Sequence, residues 1–250
     1  MMVENEWMRL TAAELNARAK AGALCIVPIA SMEQHGPHLA TGVDILCATG
    51  VAARVAALMG EEAVVTPCIW TGLAEHHMAF GGTVTLDYAA FFGVIRGVVR
   101  SAARAGFTRV MLLNGHGGNA EAVAVAGSEL SIELGIPVAA GTYWHIIGDA
   151  FAPVLETQAN VMHACEAETS MIMALAPGCV RTENLPQAHG PMSTRVEGQP
   201  ANLYRRKSFA AITPSGVVGD ARTASAAKGE KLLAIAAEKI AAMLRNPLLW

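Results

Sequence analysis

Apolar residues along this chain fall into short dense runs, and the stretches between them carry helical spacing. Ala23 to Ala30 is an apolar run of strand length, and Val64 to Trp70, Arg109 to Asn114 and Pro137 to Trp144 read the same way. Thr11-Ala-Ala-Glu14 has the spacing of a capping box and predicts a short helix to Lys20, stopped near Gly22. Beyond Gly42, Ile45, Leu46, Val51, Val55 and Leu58 predict one apolar helix face, with Gly60 as its end. Asp87 is placed to cap a helix running through Arg104, and Ala120 to Leu134 forms another that Gly135 closes. Further helices are expected from Ala164 to Ala176 and from Thr223 to Arg245. Residues 178–222 are rich in Gly and Pro and read as loops, with room for one short strand pair. Strands alternating with helices, joined by connections long enough for crossovers, imply an α/β fold with a parallel sheet covered on both faces. No linker-like stretch divides residues 1–250, so a single domain is expected.

Composition narrows the classes. With 53% hydrophobic residues the chain can bury a large core, yet no run of eighteen apolar residues suggests a membrane span. The segment Met1 to Trp7 is acidic and lacks the order of a secretory signal, so a cytoplasmic protein is expected. A net charge of −3 gives no electrostatic reason to expect nucleic acid, and Arg205-Arg206-Lys207 reads as a solvated loop. Five cysteines form no CxxC pair and read as reduced core residues, with Cys165, between His163 and Glu166, nearest to candidate chemistry.

That chemistry gathers where strands end. Ser31 to Asp44 directly follows the first strand and offers Glu33, His35, His38 and Asp44 with Gly and Pro between them. Glu33 and His35 are two apart and point to one side in extended backbone. Asp44 stands at a helix start, where the dipole favours a carboxylate. Carboxylate oxygen with neutral imidazole suits Zn²⁺, Mn²⁺ or Fe²⁺. Asn114-Gly115-His116-Gly117-Gly118-Asn119 repeats the plan of buried strand, glycine turn and rim histidine, and leaves a helix N-terminus open to developing negative charge. The third contribution is His163-Ala-Cys-Glu-Ala-Glu168, where Glu168 enters a strongly apolar run. A metal would offset the cost of burying that carboxylate, as would a backbone cap or an arginine partner.

Taken in this order and at these separations, the Glu-Gln-His-Gly-Pro-His loop, the Asn-Gly-His-Gly-Gly-Asn turn and the His-Ala-x-x-x-Glu-Thr-Ser segment resemble the creatininase family of metal-dependent amidohydrolases. Gly216-Val-Val-Gly-Asp220 and Ala224-Ser-Ala-Ala-Lys-Gly229 are similar to its closing motif. The resemblance implies a three-layer α/β/α fold, two divalent metal ions (Zn, Mn or Fe) and a homohexamer. It implies that Glu33, Asp44 and His116 hold one ion and His35, Asp44 and Glu168 the other. His163 would then be the proton-transfer residue, and Trp144 and His77 would line the substrate pocket. Two ions held there would supply a water-derived nucleophile near neutral pH, and Gly117 and Gly118 N–H groups would help to hold the oxyanion. Creatininases proper carry a metal-binding Glu where this chain has Gly118; Glu168 is the expected substitute, which argues against creatinine as substrate. The function implied is cleavage of a small amide, cyclic amide or formamide C–N bond. Alternatives are a cyclic polyol ketone or lactone-like carbonyl on the same site, or a silent homologue.

Overall fold

The structure is a computed structural model and describes residues 3–195, 198–200, 203 and 205–250. Of the expected loop region 178–222, Val196, Glu197, Ala201, Asn202 and Tyr204 lie outside the described residues, as do Met1 and Met2 of the N-terminal segment. Four parallel strands, β1 (Leu24–Ile29), β2 (Ala63–Val65), β3 (Val110–Asn114) and β4 (Val138–Thr142), form one sheet in the order β2-β1-β3-β4. Side chains alternate across it. Leu24, Ile26, Met111 and Leu113 enter the core on one face, and Cys25, Val27, Val110 and Leu112 the core on the other. Burial on both faces explains why these strands read as continuous apolar runs.

The first face is covered by α2 (Val43–Met59), α6 (Glu166–Leu175) and α7 (Ala226–Leu244). The second is covered by α1 (Ala12–Lys20), α3 (Tyr88–Arg104) and α4 (Ala120–Leu134). The result is a three-layer α/β/α sandwich. The capping box forms as the spacing predicts, with the Glu14 backbone N–H donating to Thr11 and Thr11 donating back to Glu14. Asp87 caps α3 through the Ala90 N–H at 2.8 Å. Where α6 and α7 cross, Gly229 lies directly on the carbonyl of Ser170, in space that a Cβ would occupy.

Several expectations change in detail. β2 is short because Pro67 cannot donate to the ladder, and the chain rejoins β1 only through an isolated bridge between Ile29 and Ile69. The strand expected to reach Trp144 ends at Thr142, and Tyr143–Ile146 forms one helical turn, α5. The buried face of α2 runs through Val43, Asp44, Cys47, Val51, Val55 and Met59, while Leu58 is 47% exposed and Ile45 and Leu46 are half-buried. Including the polar Asp44 in the inward stripe shifts its phase by one position. Val43–Glu62 is long and apolar enough to cross a membrane by composition alone, but it packs as a core helix between the sheet and α7. The expected strand pair within 178–222 is reduced to isolated bridges, Leu39 with Val180, His163 with Val218 and His189 with Asp220.

Register places the chemistry. Ile29 pairs with Asn114 and Asn114 with Thr142, so β1, β3 and β4 end on one line, and the segments that follow them open on the same edge. Parallel α/β sheets present ligands at that carboxyl edge.

Candidate metal centre and cleft

After β1 the chain folds back on itself, the Glu33 N–H donating to the Thr41 carbonyl at 3.0 Å, and Glu33 and His35 are both 1% exposed. His35 Nδ1 lies 3.1 Å from the Glu33 carbonyl, to which it donates, so Nε2 is left to face Asp44 Oδ1 at 3.1 Å and Glu168 Oε2 at 3.9 Å. Asp44 arrives from the first turn of α2, stabilised by the positive helix end.

His116, from the turn after β3, takes the opposite tautomer. Its backbone N–H donates to Asn114 Oδ1 at 3.1 Å, and its Nε2–H donates to the Leu73 carbonyl at 3.2 Å. Nδ1 then faces Glu33 Oε2 at 3.1 Å and Asp44 Oδ2 at 3.0 Å. In both histidines a backbone carbonyl fixes the ring and aims its remaining lone pair at carboxylates, the arrangement found around metal-bound imidazoles.

α6 begins at Glu166, so His163 precedes it and Glu168 sits in its first turn. The turn is made by Ala164, whose φ of 52° lies in the left-handed region that costs a residue with a Cβ about 1–3 kcal/mol. Its N–H donates to Glu168 Oε2 at 2.6 Å, so the strained residue also holds the carboxylate. His163 Nε2–H donates to the Gln34 carbonyl at 2.9 Å, and its Nδ1 lies 3.7 Å from Glu33 Oε1.

Three buried atoms in this cluster make no hydrogen bond, namely Glu33 Oε2, His35 Nε2 and Asp44 Oδ2. His35 Nε2 faces Asp44 Oδ1, and Glu33 Oε2 and Asp44 Oδ2 both face His116 Nδ1, without forming hydrogen bonds, so lone pairs are turned towards one another. Among the described residues, three groups could each hold a divalent ion, Glu33/Asp44/His116, His35/Asp44/Glu168 and Glu33/His35/His163, with donor atoms within 4.8 Å of one another. Asp44 belongs to two of them through different oxygens. Buried carboxylates require positive charge, and an O/N donor set of this kind fits Zn²⁺ or Mn²⁺.

Protons occupy the same positions when no ion does. Burial alone would depress His35, but the carboxylates of Asp44, Glu168 and Glu33 raise it to about 9. The same opposition, won by Glu33 and Asp44, raises His116 to about 10. Burial lifts Glu168 to about 7 despite the nearby His35 cation. His163 moves the other way, held well below its ordinary value by burial and then by the His35 and His116 cations.

The remaining expected site residues, Trp144, His77, Gly117 and Gly118, line one cavity of about 430 Å³ with Glu33, Asp44, His116, His163 and Glu168. Trp144 reaches it from α5 rather than from a strand. His77 is 1% exposed in a short 3₁₀ helix (Glu75–Phe80), and its Nε2 stands 3.3 Å from Glu33 Oε1. Gly118 is in contact with the His116 ring and the Leu73 carbonyl where a Cβ would stand. His38, offered by the same loop, engages Thr169 Oγ1 of α6 through Nε2 at 2.8 Å. Cys165 is fully buried, with its thiol pushed up to about 12 by burial, and all five cysteines are free.

Sequence motifs did not mark Gln34, Asn119, Phe209 or Arg206 as parts of the site. The Gln34 amide donates to the Gly216 carbonyl at 3.1 Å and to His77 Nδ1 at 3.0 Å, and its Oε1 accepts the Gly36 N–H at 2.9 Å. It thereby directs the His77 Nε2–H at Glu33. Asn119 accepts the Leu73 N–H at 2.9 Å and donates to the Ala30 carbonyl at 3.1 Å, tying three rim segments together. Phe209 lies on His77 and His163, with ring centroids 4.1 and 4.7 Å apart. The position of Gln34 inside the Glu-Gln-His loop was a usable signal; Phe209 and Arg206 come from a region without periodicity.

An α/β/α sandwich with buried carboxylates and imidazoles at the carboxyl edge defines a metallohydrolase-like protein. The family model for creatininase, described as creatinine amidohydrolase, matches residues 8–244, and the chain belongs to that family of hydrolytic enzymes. It is 34% identical over 215 residues to a mycofactocin precursor peptide peptidase of Mycolicibacterium smegmatis, covering 84% of this chain and 80% of the relative. It is 32% identical over 259 residues to a creatinine amidohydrolase of Pseudomonas putida, covering 95% of each. A crystal structure of creatinine amidohydrolase superposes with a TM-score of 0.83 at 28% identity over 96% of both chains. Solved creatininases of the same fold include a manganese form and a Zn–Zn form.

Proposed function

We propose that this chain cleaves the C–N bond of a small amide, cyclic amide or formamide, using two divalent ions. The observation that supports it is the convergence of the unpartnered Glu33, His35 and Asp44 atoms beside a cavity of small-molecule size. Glu33, Asp44 and His116 would hold one ion, and His35, Asp44 and Glu168 the other. Ions bound there supply Lewis acidity and lower the pKa of water. The chain's own residues would do the rest. His163, neutral and with Nε2–H committed to the Gln34 carbonyl, offers Nδ1 to take up a proton and return it to the leaving nitrogen. Gly117 and Gly118, at the opening of the helix that continues into α4, would offer N–H groups to developing oxyanion charge. Phe209 and Trp144 wall the cavity and restrict water. An amidohydrolase and a peptidase among the relatives are in keeping with C–N cleavage. The test is amine release from a panel of small amides, lactams and formamides by protein resupplied with Zn²⁺ or Mn²⁺. Turnover that chelator abolishes is expected; a metal-replete protein that hydrolyses no member of the panel would refute the reading.

A further inference from the structure

The Arg205-Arg206-Lys207 run is solvated, with Arg205 and Arg206 exposed, and it also borders the cleft. It lines a cavity of about 210 Å³ together with Arg195, and that cavity shares His76, Arg195, Arg206 and Phe209 with the one holding the metal ligands. Arg206 is tied into place, with Nη1 3.4 Å from His76 Nε2 and Nη2 3.6 Å from Glu121 Oε2. The His76 ring in turn stacks on His116, with centroids 5.7 Å apart. One imidazole layer therefore separates a guanidinium from a proposed metal ligand. The cleft is polarised, with carboxylates and imidazoles at one end and several cations at the other, in a chain whose net charge is −3. Glu121 is one acidic partner of Arg206, and its side chain is 55% exposed.

We infer that the substrate carries an anionic group, a carboxylate or a phosphate, that Arg206 grips together with Arg195 and Lys207 while the scissile amide lies at the metal end. This inference rests on the amide-hydrolase reading and names its substrate class. Guanidinium suits the task because its donors match both oxyanions in pairs. One imidazole, in polar contact with Arg206 and stacked on His116, lies between the two ends, and the substrate inferred here joins its anion to its scissile amide by a short linker, as in an N-acyl amino acid.

The experiment compares matched substrates on the metal-loaded protein, 5-oxoproline against 5-oxoprolinamide and N-formylalanine against N-formylalaninamide. In wild type the anionic member is favoured about 10- to 100-fold in kcat/KM, the range of a charged hydrogen-bonded pair. In Arg206→Gln and Arg195→Gln the ratio falls towards one. Equal kcat/KM within each pair in wild type, or a preference that survives in Arg206→Gln, overturns the inference. Calorimetric titration of glutarate and of inorganic phosphate runs independently of turnover. Saturable binding that weakens in Arg206→Gln supports the anion site and shows which oxyanion it prefers, even if no amide in the panel is cleaved. Absence of binding by both anions to wild type overturns the site while leaving amide hydrolysis standing.

Discussion

Asp44 is the side chain on which both proposed ions depend, so its removal should differ in kind from removal of Glu168. Its Oδ1 stands 3.1 Å from His35 Nε2 and its Oδ2 3.0 Å from His116 Nδ1, each oxygen serving a different ligand group. Glu168 enters only one group. A four-ligand zinc site is worth about 10–16 kcal/mol, which divides into roughly 2.5–4 kcal/mol per ligand, or about 10²- to 10³-fold in affinity. Asp44→Ala should impose that loss on both ions, and Glu168→Ala on one. After equilibration with Zn²⁺ and desalting, elemental analysis should find about two ions per wild-type chain, about one in Glu168→Ala and close to none in Asp44→Ala. Thermal melts of each variant check that the fold persists. An Asp44→Ala protein that keeps as much metal as Glu168→Ala would refute a shared carboxylate, and equal loading in all three proteins would refute the assignment of both residues.

Four other outcomes follow from the geometry. His163→Gln should retain both ions, because its ring lies outside the two main ligand groups, and turnover should fall about 10²- to 10⁴-fold. In metal-free protein, His35 and His116 have pKa values raised to about 9 and 10. Their stabilising contribution is therefore complete below about 6.5 and lost as pH rises through 9 to 10; the melting midpoint of chelated protein should drop across that window, and a flat profile would contradict the site electrostatics. Gly118→Ala drives a methyl group into the His116 ring and the Leu73 carbonyl, so about 1–3 kcal/mol of stability and the His116-bound ion should be lost together, read by melting and metal content. Gly229→Ala should cost a similar 1–3 kcal/mol by separating α7 from α6, with metal stoichiometry unchanged in the folded fraction.

Much of this arrangement was legible in the sequence because it is carried by local patterns. The runs ending at Ile29 and Asn114 are apolar throughout because both faces of their strands are buried, and each is followed by its ligands within a few residues. The helix from Ala120 to Leu134 and the Thr11 capping box formed as their spacing predicts. What was not legible depends on contacts distant in sequence. Hydropathy alone turns Leu58 inward, because it does not register that the buried Asp44 belongs to the inward stripe of α2. Gln34 meets His77, 43 residues away, and Gly216, 182 residues away, and no local period reports such a meeting. Arg206 resembled any solvated arginine until Phe209 and His76 brought its segment onto the cleft.

The way Leu73 meets the metal shell has a consequence for how such an enzyme can diversify. His116 is held by the Leu73 carbonyl and Asn119 by the Leu73 N–H, so Leu73 grips the metal side through its backbone alone. Its side chain is not needed for that grip, whereas His76 and His77, from the same segment, lie on His116 and Glu33 with their rings. Position 73 can therefore change its side chain while the ligands keep their geometry, and change at 76 or 77 reaches the cleft wall and the ligands together.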